Sequence, residues 1–74
     1  MIDPKPGQRW ESDAGWRIVL DVFVGHDGRR GVIWTSSRRI AKQFAASRLG
    51  GTTCLLSQWI EWADANNAKP EGAT

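Results

Sequence analysis

Residues 15–35, GWRIVLDVFVGHDGRRGVIWT, carry the clearest two-residue periodicity in the chain. The even positions Trp16, Ile18, Leu20, Val22 and Val24 are all apolar, whereas Arg17, Val19, Asp21, Phe23 and Gly25 between them are mixed. Successive strand residues point to opposite faces, so this alternation predicts a β-strand with its even set toward the core. Residues 30–35 form a second arm, with Val32 and Trp34 on one face and Ile33 and Thr35 on the other. His26-Asp27-Gly28 separates the arms, and Asp-Gly supplies the positive φ that a tight reversal needs. The stretch reads as a β-hairpin.

Upstream, two prolines and a glycine in residues 1–7 predict an extended lead-in. Gln8-Arg9-Trp10 is long enough for a short first strand, and Glu11 to Gly15 reads as the loop into the hairpin. Downstream, Ser36-Ser37 precedes RRIAKQFAASRL and Gly50-Gly51. Ala41, Lys42, Gln43, Ala45 and Ala46 favour a helix, with Ile40 and Phe44 on one face, a serine to cap it and glycines to end it. The same residues also fit a basic loop returning to the sheet as a strand, and periodicity alone leaves both open. Gly51 to Leu56 suits a closing strand or the lead into a helix. From Ser57, SQWIEWADANN puts Leu56, Trp59, Ile60 and Ala63 on one helical face, with Trp62 flanking, Ser57 as N-cap and Asn66-Asn67 as the stop. The expected fold is α+β: a small, strongly bent antiparallel sheet of three to five strands with a C-terminal helix near residues 57–65. One domain spans residues 8–66, and residues 67–74, with little to bury, form a mobile tail.

Seventy-four residues leave room for one core, and a chain of this size buries only about 60% of its unfolded surface. Five Trp and two Phe compensate, since each ring can bury roughly 150–250 Å². A second copy of the chain, as a homodimer, or another partner would add stability. The single cysteine, Cys54, has no disulfide partner and no metal-ligand cluster beside it, so it reads as a small buried hydrophobe and no cofactor or metal is expected. No apolar run approaches the ~20 residues that cross a bilayer, and MIDPKPGQRW lacks a secretory signal's apolar stretch. The expectation is a cytoplasmic protein without a membrane partner.

Charge is segregated. Residues 1–27 hold Lys5, Arg9 and Arg17 against Asp3, Glu11, Asp13, Asp21 and Asp27, a net of −2. Residues 28–60 hold Arg29, Arg30, Arg38, Arg39, Lys42 and Arg48 with no acid, a net of +6. Residues 61–74 return to −2, with Lys69 against Glu61, Asp64 and Glu71. Arginine forks match phosphate oxygens bidentately, and an exposed ring can stack on a base. The six cations of the middle segment, with Trp34 as stacker, therefore form a candidate nucleic-acid surface for DNA or RNA. A solvated charged face is the plain alternative. A second class is protein docking, since Arg and Trp are enriched at binding hot spots. Val19, Phe23 and Ile33 would supply that apolar strip on the hairpin's second face. Catalysis has little to stand on: His26 sits at the hairpin turn, Asp21 suits an ion pair, and Gly50-Gly51-Thr52-Thr53 lacks the lysine and spacing of a phosphate-binding loop. No enzyme is expected.

Lys5-Pro6-Gly7-Gln8-Arg9-Trp10, the valine-rich hairpin ending at Val32-Ile33-Trp34, and the closing Cys54, Trp59 and Trp62-Ala63 resemble short phage and prophage reading frames with a bent sheet of the Src-homology type. The likeness covers most of residues 5–65 through generic motifs. Residues 36–50 are a longer connection than a compact barrel uses, which leaves its closure open. The resemblance implies a mobile-element origin, a bacterial host cell, and a host nucleic acid or a host protein complex, such as a defence or transcription machine, as partner.

Overall fold

Among residues 3–71, which the computed structural model describes, the elements follow as β1 (Arg9–Ser12), β2 (Gly15–Val24), β3 (Arg30–Thr35), α1 (Arg38–Ser47), β4 (Thr52–Leu55), α2 (Leu56–Ala65) and β5 (Lys69–Pro70). The strands form one antiparallel sheet in the order β4-β3-β2-β1-β5. β4 and β5 are its two edges and do not meet, so the fold is α+β with an open sheet rather than a closed barrel. The hairpin turns where Asp-Gly predicts. Gly25 N–H donates to Arg29 O at 2.8 Å, Asp27 Oδ1 accepts from Arg29 N–H at 3.0 Å, and Gly28 takes φ +80°.

The even-parity core does not survive intact. Val19 pairs with Trp34, but the next partners are Asp21 and Ile33, so Leu20 is an extra residue in β2. This β-bulge reverses the alternation halfway along the strand. On one face, Val19 before the bulge and Val22 after it join Trp10, Val32 and Trp59 in the main cluster. On the other, Leu20 and Ile33 lie against Gly51. Of the expected core set only Val22 packs on this cluster, whereas odd-numbered Val19 is 0% exposed. The sheet is apolar on both faces because a helix packs on each.

Residues 38–47 resolve as a helix rather than a strand. Ser37 Oγ accepts from Ile40 N–H at 3.3 Å, and Arg48 closes α1 in the left-handed region at φ 62°, donating its N–H to Phe44 O at 2.8 Å. Phe44 is the buried residue of α1 and lies outside the Trp10–Trp59 cluster. The chain then enters β4 through Gly50 and Gly51, both at positive φ. A Cβ on Gly51 would come 2.7 Å from Leu20 Cδ1 and 2.9 Å from Ile33 Cγ2, so only glycine fits.

α2 covers the opposite face. It starts at Leu56, one residue before the expectation, and Ser57 is not its cap: Leu55 is, with its N–H donating to Gln58 Oε1 at 2.8 Å. Trp59 is buried edge-on against Trp10 at 5.5 Å and lies 4.9 Å from Trp62. The expected mobile tail is corrected for its described part. Ala68 packs on the core, β5 pairs with β1, and Glu71 N–H donates to Arg9 O at 2.7 Å. Pro70 fits there because an edge strand needs no outward N–H. Residues 72–74 of that tail, and residues 1–2 of the lead-in, lie outside the described residues. None of the described helices is long and apolar enough to cross a membrane.

Candidate nucleic-acid interface

The sheet divides the six cations of the middle segment into groups. Arg29 and Arg30 sit at the turn end of the hairpin, where Arg29 pairs with Asp27 at 3.3 Å and Arg30 with Asp3 at 3.6 Å. Arg48 pairs with half-buried Asp21 on β2 and lies 4.8 Å from the Phe44 ring. The ion pair that Asp21 suits is thus made with the residue that caps α1. These three guanidinium groups already have carboxylates, at exposed sites where each pair is worth about 0–1 kcal/mol.

Arg38, Arg39 and Lys42 differ. They lie on the solvent face of α1 with Gln43, Ala45 and Ala46, opposite half-buried Ile40 and buried Phe44. Among the described residues none of the three makes an ion pair. Arg38 and Arg39 also occupy the first two positions of the helix, where its dipole is positive and where no acidic residue stands. Cations there oppose the dipole by about 0.3–1 kcal/mol each. The folded chain therefore holds three unpaired positive charges in one exposed turn and a half.

Trp34 is not an open stacking platform. Its indole Nε1 is buried, and Arg17 lies over its ring at 3.7 Å. The apolar strip is corrected as well. Val19 is sealed under α2 by the bulge, and half-buried Ile33 is covered beside Leu20 and Gly51. Only Phe23 of that trio remains exposed, at 39%, next to Val24 at 68%. His26 is exposed at the turn, and no group of three metal-ligating side chains occurs among the described residues.

Arg17 is the feature that sequence reasoning passed over. It belongs to the acid-rich first segment, yet it faces the tryptophans rather than a carboxylate. Its guanidinium carbon lies 3.7 Å from the Trp34 ring centroid, 3.9 Å from Trp62 and 5.8 Å from Trp59. Burial lowers its pKa below the ordinary arginine value, an effect partly offset by Cys54. Burial in turn raises the Cys54 thiol above its ordinary 9.0, with Arg17 and the Trp34 indole N–H opposing the rise. The signal available in the sequence was an arginine sharing Val19's strand parity in a chain with more tryptophan than one small core can hold.

No protein-family model, curated protein or solved structure matches the chain.

Proposed function

We propose that the chain is a non-enzymatic binding module that grips a nucleic-acid backbone through the solvent face of α1. The observation that carries this reading is the trio Arg38, Arg39 and Lys42, unpaired and aligned on one exposed helix face. Arginine presents a planar fork of donors to phosphate oxygens, and phosphates would relieve the repulsion that the two arginines feel at the helix start. Arg29, Arg30 and Arg48 are secondary, because a phosphate must first displace a carboxylate.

Three phosphate contacts imply a slope of log affinity against log salt of about −2 on a single strand and about −3 on a duplex. Binding of labelled single-stranded and duplex oligonucleotides at about 50 and 200 mM salt measures it. The double variant R38A/R39A should lose most of the affinity while staying folded, with a thermal transition no lower than the native one. A native chain that ignores oligonucleotides at the lower salt ends this reading.

Exposed Phe23 and Val24 favour a second one, docking on a protein through the far half of the hairpin. The likeness to phage reading frames and to Src-homology sheets fits either activity in a bacterial cytoplasm, with host nucleic acid or a host protein complex as target. Loss of that docking in F23S, with oligonucleotide binding absent throughout, would select it.

A further inference from the structure

Arginine between two indole rings is held flat and cannot fold away, so its edge is presented in a fixed direction. Arg17 is in that state between Trp34 of β3 and Trp62 of α2. Among the described residues it has no carboxylate partner and donates no side-chain hydrogen bond, unlike Arg9, Arg29, Arg30 and Arg48. None of its nitrogens is among the buried polar atoms that lack a partner, so its donors reach solvent. The stacking covers the two faces of the guanidinium and leaves its rim for an acceptor.

We propose that Arg17, clamped between Trp34 and Trp62, is a receptor for one phosphate of the strand that α1 binds. This inference rests on the nucleic-acid reading of α1. Position along the chain supports it: Arg38 follows Trp34 by four residues, which limits their Cα atoms to about 14 Å. A nucleic-acid strand carries a charge about every 3.4 Å of helix axis. Arg17 lies on the α2 face and α1 on the other, but both stand at the same end of the sheet, where Ile18 pairs with Thr35 just before α1 begins, so a strand that wraps this end meets both. Four unpaired cations at one end suit a repeated charge better than a single carboxylate. Trp34 then serves as the platform for the arginine instead of stacking on a base.

Two variants and two probes test the site. R17M removes the charge, whereas R17K keeps a charge but loses the flat fork. In single-stranded oligonucleotide titrations R17M should lower affinity roughly tenfold and flatten the salt slope by about one. R17K should keep the slope and still bind more weakly. Inorganic phosphate, at matched ionic strength, should change tryptophan emission in the native chain and leave R17M unaffected, with acetate giving less response than phosphate. Native affinity and slope in a folded R17M, or an equal response to acetate, would overturn the Arg17 site while leaving α1 standing. Should R17M fail to fold, R17K decides, and native affinity in R17K overturns the site. An oligonucleotide that the native chain does not bind removes the α1 reading and this extension together.

Discussion

Val19 shows how one residue's fate turns on a neighbour it does not touch in sequence logic. Its own parity places it among Arg17 and Asp21, yet Leu20 bulges and Val19 ends fully buried against Trp34's side of the sheet. Val19→Ala should therefore cost about 2 kcal/mol through transfer and cavity effects, whereas Val24→Ala, at 68% exposure, should stay within about 0.5 kcal/mol. Urea melts of the two variants check the contrast, and equal losses would contradict the assigned faces. Cys54 yields a pH dependence. Its folded pKa lies above 9.0 because burial disfavours the thiolate. The unfolded chain thus releases this proton first, and the thiol's contribution, complete below pH 9, is lost as pH rises through the raised value. Native stability should decline above pH 9 more steeply than that of C54S, as equilibrium melts across that range would reveal. Cys54 packs on the core, as its residue type suggests, but is only half-buried. The arginine and indole beside it were not legible, because periodicity assigns faces and does not say which rings will meet across elements.

At the scale of elements, α1 combines a sound cap with a poor first turn. Ser37 caps the helix, but Arg38 and Arg39 follow where acids would be favourable. The double variant R38E/R39E should raise the melting temperature by several degrees, given about 4–8 °C per kcal/mol for a domain this small, and abolish oligonucleotide binding. A lower melting temperature would mean that the two arginines hold the fold together. The competing strand reading of residues 38–47 was decided by tertiary packing that no local pattern reports. Ile40 and Phe44 find the second apolar face of the sheet, where Leu20 and Ile33 lie. The hairpin and α2 were legible because Asp-Gly and the Leu56–Trp59–Ala63 spacing each serve one local geometry.

Across the whole molecule, the chain closes on itself through its last described residues. β5 pairs with β1, and Pro70 is buried opposite Trp10. Ending the chain at Asn67 should cost about 1–3 kcal/mol in lost ladder bonds and apolar cover, and calorimetry of the truncated chain would register it as a lower transition. An unchanged transition would mean that β5 is decorative. The sequence reading missed this strand because two residues with a proline carry no periodicity. It also gathered six cations into one patch, whereas the open sheet sends Arg29 and Arg30 to the turn end and leaves α1 with the unpaired trio.

The extra residue at Leu20 acts on the pleat as a frameshift acts on a message. The α2 face becomes the α1 face at a single position, and the rule that reads the first half of the strand misreads the second. A variant library along β2 would thus score as two interleaved patterns with opposite phase, meeting at Leu20.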